Sequence, residues 1–229
     1  YFLARKGYTV KVFESLPVPG GMLAVGIPDY RLPREVLNAE IKTITDLGVA
    51  VAYNTALGKD ITVEGLFSEG YKAIIIATGA HQGQKLGIPG EDSAGVADGV
   101  TFLRKVNLNE TMKLEGSVVV IGGGNVAIDA ARSALRLGAS SVSVLYRRER
   151  ADMPAYMEEI EEAEKEGVKI HTLVAPTTII SKDGSASAVE CVRMALGPFD
   201  RSGRRSPQPI SGSAFSVPAH LVTSKSAAA

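Results

Sequence analysis

Short apolar runs alternate with segments of helical period along most of the chain, the pattern that predicts parallel βαβ units. A strand is expected over 9–13 and a helix over 33–47, where Val36, Leu37, Ile41, Ile44 and Leu47 recur at spacings near 3.6 and Pro33 occupies the first turn. Another strand is expected over 49–53. The run 71–77, containing Ile74, Ile75 and Ile76, is apolar on both faces and predicts a buried central strand. Residues 81–98, rich in Gly, Asp and Pro, predict a linker. A second unit then starts: strand 117–121, a glycine-rich turn, helix 125–137 and strand 142–146. Helix 155–166 and short strands over 168–172, 177–181 and 188–196 follow, with a strand entry over 215–222 and a patternless tail over 223–229. Residues 1–7 look like the end of a helix closed by Gly7. Both ends are abrupt, and a fragment cut inside structure is the expectation.

Composition narrows the class. The 229 residues carry 25 Lys+Arg and 25 Asp+Glu, a net charge of zero, which removes the electrostatic footprint of a nucleic-acid binder or polybasic membrane surface. One cysteine, Cys191, excludes an intrachain disulfide, and with 3 His the chain lacks the ligand density of a structural zinc site. No apolar run reaches the roughly 18–20 residues of a membrane span. An α/β protein of the cytoplasm, with no nucleic-acid or membrane partner and no metal site of its own, is expected.

The best-defined local chemistry lies in Val118-Val119-Val120-Ile121-Gly122-Gly123-Gly124-Asn125-Val126-Ala127-Ile128-Asp129. A Gly-x-Gly-x-x-Ala spacing falls on Gly122, Gly124 and Ala127, directly after a strand and opening a helix. Gly122 permits the tight turn, Gly124 lets backbone approach a pyrophosphate, and Ala127 allows close helix–strand packing. Amides at the helix start, including those of Gly123, Asn125 and Val126, would hold the phosphates. Which dinucleotide binds is decided at the end of the next strand, where Tyr146 is followed by Arg147-Arg148-Glu149-Arg150. A carboxylate there would bind a ribose 2′-hydroxyl, whereas paired guanidiniums hold a 2′-phosphate. Glu149 comes two or three residues late, so NADP(H) is favoured over NAD(H).

The N-terminal unit shows a complement. Strand 9–13 ends on Glu14, where a ribose-binding acid belongs. Gly20, Gly21 and three prolines over 19–33 fix an irregular, rigid path of the kind that lines a ligand. Ala77, Thr78 and Gly79 end the apolar run 71–77 with small residues that let backbone approach a ligand.

Gly20-Gly21-x-Leu23-x-x-Gly26-Ile27-Pro28-x-x-Arg31-Leu32-Pro33, then Ala77-Thr78-Gly79 and Leu86-Gly87-Ile88-Pro89-Gly90-Glu91-Asp92, resemble the glutamate synthase small-subunit family of flavin oxidoreductases. The second half agrees through Gly122 to Asp129, Tyr146-Arg147-Arg148, Met153-Pro154-Ala155 and Glu190-Cys191-Val192-Arg193-Met194. The resemblance covers nearly the whole chain. It implies an α/β fold of two nested Rossmann-like dinucleotide-binding domains, with the FAD domain incomplete at both ends. The implied division is 1–98 for a partial FAD domain with linker, 99–214 for the NAD(P)H domain, and 215–229 for a truncated return into the FAD domain.

In that plan Glu14 meets the flavin's adenosine ribose, Gly20 to Leu32 run beside FAD, and Ala77-Thr78-Gly79 return near its phosphates. Gly122 to Ala127, Arg147 and Arg148 bind NADPH. The implied reaction is hydride transfer from NADPH to FAD, then electron transfer to an iron–sulfur domain or subunit. The first flavin glycine loop and the family's cysteine-rich amino-terminal domain are absent from this sequence, and one cysteine could not ligate a cluster. The alternative is a non-catalytic NADP(H)-binding scaffold without flavin.

The remaining candidates have structural expectations. Cys191, beside Val192 and Met194, is expected to be a packed core thiol, which leaves no redox-active pair. The glutamates at 158, 159, 161, 162, 164 and 166 are expected to form a solvated helix face. Asp129 is expected to pack or hydrogen-bond between helices, and His81 to sit in a loop.

Overall fold

The structure, a computed structural model, describes residues 1–110, 113–200 and 203–224, so the expected tail lies outside the described residues from 225 onward. The chain divides into two units, Tyr1–Ala80 and His81–Ala229.

In the first unit, helix α1 (Phe2–Arg5) leads through Gly7, at φ +84°, into strand β1 (Lys11–Phe13). A short helix α2 (Met22–Val25), helix α3 (Arg34–Thr45), strand β2 (Ala50–Ala52) and helix α4 (Val63–Ser68) follow. β1 and β2 pair in parallel, with Val12 opposite Val51. α3 turns Leu37 inward, and a Cβ on Gly20 would meet its Cδ2 at 3.0 Å. Close packing of the 19–33 path on α3 therefore requires a glycine there. The Thr62 hydroxyl caps α4 by accepting from the Gly65 N–H at 3.0 Å.

The strand expected over 71–77 does not form. Those residues join no ladder, and Ile75 and Ile76 are 76% and 64% exposed. The sequence supplied apolar side chains, but a strand also needs a neighbour for its N–H and C=O groups. β1 and β2 pair only with each other.

The second unit is built in three layers. Its elements are β3 (Val96–Asp98), α5 (Gly99–Asn107), β4 (Ser117–Ile121), α6 (Asn125–Arg136), β5 (Ser141–Tyr146), a 3₁₀ turn (Arg150–Asp152), α7 (Met157–Glu166) and β6 (Lys169–Thr172). Then come β7 (Val174–Lys182), β8 (Ser185–Phe199), β9 (Arg205–Pro209), β10 (Phe215–Pro218) and β11 (Leu221–Ser224). A five-stranded parallel sheet runs in the order β3-β11-β4-β5-β6.

Strand alternation divides the core. Val118, Val120, Val142 and Val144 pack with Phe102, Leu103, Ile128, Ala131, Ile160 and Ala163 of α5, α6 and α7. Their neighbours Val119, Ile121 and Leu145 pack on the opposite face with Val174, Ile179, Val189 and Cys191 of an antiparallel sheet. That sheet has the order β10-β8-β7, with β9 on the far part of β8. Both faces of β4 are covered, which explains its unbroken apolar run.

Two expected boundaries move. Residues 215–224 do not leave the second unit: β10 pairs with β8, and β11 lies between β3 and β4 with Val222 and Thr223 fully buried. Residues 81–98 are not a free linker either. Leu86 and Ile88 pack on the antiparallel layer, Ile179 N donates to Pro89 O at 2.8 Å, and residues 96–98 form the edge strand β3. The Asp98 carboxylate then accepts from Thr101 N at 3.0 Å and opens α5, a helix the sequence pattern did not signal.

Candidate functional site

The glycine turn stands at the carboxyl end of β4, an interior strand, where it passes into α6. Gly122 has φ +141°, a conformation L side chains rarely adopt, and its N–H donates to Leu145 O on the neighbouring strand. Gly124 is extended at φ −92°, and a Cβ there would find only Pro154 Cγ, at 3.8 Å, so its outer side is open. Ala127 is buried in the first turn of α6, where the tight packing requires a small residue. Among the described residues, the N–H groups of Gly123, Gly124, Asn125 and Val126 donate to no protein atom. Four unspent donors at the start of a twelve-residue helix match the demand of a diphosphate.

Sequence reasoning missed what holds the turn in place. A Cβ on Gly123 would lie 2.6 Å from Tyr146 Cδ2, so the backbone rests directly on the tyrosine ring. The Tyr146 hydroxyl donates to Asp152 O at 2.6 Å. Ala155 N donates to Gly123 O at 3.1 Å, and Tyr156 N to Asn125 Oδ1 at 3.0 Å. The segment from Asp152 to Tyr156 therefore braces the turn from one side, and Asn125 spends its side chain on that brace. On the other side, Val126 Cγ1 lies 3.0 Å from where a Cβ on Gly99 would sit, so the start of α5 abuts it closely. An aromatic closing β5 was the only signal in the sequence for this packing.

The expected arginine pair at the β5 tip is divided. Arg147 is exposed and has no partner among the described residues. Arg148 is buried: Nη2 donates to Asp200 at 2.8 Å and Nε to Arg205 O at 3.0 Å. Its guanidinium is committed to the β8–β9 hairpin, which corrects the view of two equivalent phosphate ligands. Arg150 is also engaged, with Glu164 at 2.6 Å. Burial raises the Tyr146 phenol above its ordinary pKa, opposed by the charges of Arg148 and Arg204.

In the first unit, Glu14 lies at the carboxyl end of β1, its N–H bonded to Ala52 O. One carboxylate oxygen accepts from Leu16 N at 2.8 Å and from the Ser15 hydroxyl, and the other has no partner among the described residues. Gly21 takes φ +52° with ψ −132°, accessible only to glycine, and sets up α2. Leu23 is exposed, while Ile27, Arg31 and Leu32 are partly buried. Arg34, which the sequence reading passed over, ties this path together. Its guanidinium donates to the carbonyls of Ile27 (2.7 Å), Leu32 (3.1 Å) and Leu23 (3.3 Å), and its N–H to Asp29. Ala77, Thr78 and Gly79 are exposed and outside any ladder, so no sheet fixes them beside Glu14.

Cys191 is fully buried, and burial pushes its thiol up to about 11. The glutamate helix is less solvated than its composition suggests. Buried Arg132 pairs with Glu159 and Glu166, Arg136 also meets Glu166, and Glu162 meets Lys165. Asp129 is 2% exposed on α6. His81 accepts from Arg104 through its carbonyl, and His220 Nδ1 accepts from Ser117 N at 3.2 Å. Among the described residues, no helix is long and apolar enough to cross a membrane, and no three His, Cys, Asp or Glu side chains are placed to hold a metal ion.

Comparison with known proteins bears on the family and on the fold. The family pattern of pyridine nucleotide-disulphide oxidoreductases matches residues 1–196. The chain is 52% identical over 225 residues to the NADP(+)-dependent formate dehydrogenase subunit beta of Moorella thermoacetica, covering 97% of this chain and 32% of that protein. It is 44% identical to the NADPH-Fe(3+) oxidoreductase subunit beta of Geobacter sulfurreducens, covering 95% and 33%. Identity to the NADPH glutamate synthase small chain of Azospirillum brasilense is 36%, covering 96% and 48%. The chain thus spans about a third of the length of the first two relatives. Among solved structures, Mycobacterium tuberculosis FprA in complex with NADPH superposes with a TM-score of 0.79 at 21% identity, over 94% of this chain and 63% of that one. Lactococcus lactis thioredoxin reductase gives 0.67 at 21% identity, over 99% and 72%. These two likenesses establish the α/β fold.

Proposed function

The chain belongs to the pyridine nucleotide-disulphide oxidoreductase family, and on that premise we propose that it is the dinucleotide-handling part of an NADPH-dependent flavin oxidoreductase. Its second unit takes NADP(H) on the glycine turn. Its first unit supplies part of an FAD site, and the whole protein passes electrons to an iron–sulfur partner. One observation carries the reading: four unspent amides open α6 beside Gly124, with the exposed Arg147 at the tip of the adjacent strand.

The residues present fit both groups. Gly123 to Val126 offer donors for a diphosphate, and the bare outer side of Gly124 admits it. Arg147, in place of a carboxylate, favours a 2′-phosphate over a 2′-hydroxyl. Glu14 keeps one carboxylate oxygen for a ribose hydroxyl, as the first unit's role requires. When bound together, nicotinamide and flavin supply hydride transfer and the conversion to single-electron transfer. The chain contributes grip and alignment, and no side chain is assigned as general acid or base. A lone buried cysteine cannot provide a dithiol, so disulphide chemistry is not part of the proposal. Relatives named as beta subunits or small chains support a separate electron-accepting partner.

The test is a spectrum of the full-length protein. A flavin absorbance bleached anaerobically by NADPH, faster than by NADH, is expected. A colourless protein that binds NADPH would replace the enzyme with a nucleotide-binding scaffold, and a protein that binds neither nucleotide would overturn the reading.

A further inference from the structure

Burying a guanidinium is costly unless its partners are well placed, and Arg148, beside the Tyr146 phenol, holds two partners on one distant hairpin. Asp200 and Arg204 close that hairpin: Asp200 N donates to Arg204 O at 2.7 Å, and Arg204 N to Asp200 Oδ1 at 3.2 Å. Arg148 grips Asp200 Oδ2 and the next carbonyl, Arg205 O, and so fastens the hairpin end to the residue after Arg147. Arg205 turns back along its own hairpin, donating to Leu196 O at 2.7 Å and Gly197 O at 3.1 Å. Arg204 is exposed, and its charge acts on the Tyr146 phenol at the tip of β5. The tip thus gathers Arg147 from β5 and Arg204 from the β8–β9 hairpin, held together by an arginine that is itself committed to the protein.

We propose that Arg204, together with Arg147, recognises the 2′-phosphate of NADP(H), and that Arg148 is a positioning residue that holds the hairpin in place for it. This rests on the nucleotide reading above and adds the specificity determinant. It also accounts for the division of the arginine pair: one member contacts the ligand, and the other recruits a replacement from the hairpin whose Asp200 lies 52 residues away.

The full-length protein is titrated with adenosine 2′,5′-bisphosphate, 5′-AMP, NADPH and NADH. If the wild type binds none of them, the nucleotide reading itself fails. If it binds NADPH more tightly than NADH, R204A decides the new part. The expected result is a loss of roughly ten- to a hundredfold in affinity for NADPH and the bisphosphate, the range of one charge-assisted bond, with NADH and 5′-AMP unchanged and R204K partly restored. Unaltered bisphosphate binding by R204A overturns the assignment. For Arg148, the readout is the NADPH-to-NADH affinity ratio of R148Q, which a purely structural role would leave intact while lowering the melting temperature. The ratio is expected to fall, and an unchanged ratio overturns the positioning role. Should R148Q not fold, D200N breaks the same ion pair from its more exposed end and is read in the same way.

Discussion

Replacing Gly123 with alanine tests how the glycine turn is supported. The residue does not have positive φ, so alanine suffers no backbone strain there, and the whole effect is steric. The new methyl would sit 2.6 Å from Tyr146 Cδ2 and 2.7 Å from Cε2, inside the distance real Cβ atoms show. Either the turn lifts, losing the bond from Ala155 N to Gly123 O, or the ring swings and its hydroxyl leaves Asp152 O. Overpacking costs about 1–3 kcal/mol and a lost hydrogen bond about 1 kcal/mol. The sum, about 2–4 kcal/mol, corresponds to roughly 5–12 °C in melting temperature for a unit of this size. Thermal and urea unfolding of G123A measure it, and NADPH affinity should fall with it because the amides of Gly123 and Gly124 are displaced. Removing the ring's bulk in a G123A/Y146L double variant should recover part of the stability. A G123A protein within about 0.5 kcal/mol of wild type, an ordinary surface effect, would refute the argument that the backbone rests on the ring.

Other perturbations follow from the same contacts. Burial opposes ionisation of Glu166, but the Arg132 and Arg136 guanidiniums prevail and hold its carboxyl below the usual range. A depressed folded-state pKa gives stability that is complete above the unfolded value, about 4.3, and is lost as pH falls through the folded value. R132M should therefore cost about 1–3 kcal/mol at pH 7, discounted for the partly exposed glutamates, and flatten the acid limb in pH-dependent urea unfolding. The Cys191 thiol, near 11, is about one part in a thousand thiolate at pH 8. Ellman's reagent should therefore label it only at the unfolding rate, and rapid labelling of the folded protein would contradict its burial. D98A removes the acceptor for Thr101 N at the start of α5 and should cost about 1 kcal/mol by urea unfolding.

Much of the second unit was legible because its signals are local. The Val118–Ile121 run, the Gly122 turn and the helix after it lie within a few residues of one another, and the structure forms all three where the pattern put them. Pairing over long separations was not legible. Leu221 to Ser224 look like any short apolar segment, and only the open slot between β3 and β4 gives them their place. The same logic runs in reverse for residues 71–77, whose isoleucines resemble a buried strand but find no ladder. At the site, residue type pointed to Arg147 and Arg148 alike. Their opposite fates depend on Asp200, 52 residues from Arg148, whose relevance no local spacing discloses. Arg34 was overlooked for a similar reason: its partners are main-chain carbonyls, which every residue has and no motif marks.

Hydrogen–deuterium exchange at the amides of Gly123, Gly124, Asn125 and Val126, measured with and without saturating NADPH, addresses the diphosphate grip directly. These donors bond to no protein atom among the described residues, so they should exchange freely in the unliganded protein and become strongly protected when the nucleotide binds. Protection that appears elsewhere while these four amides remain unprotected would contradict the account.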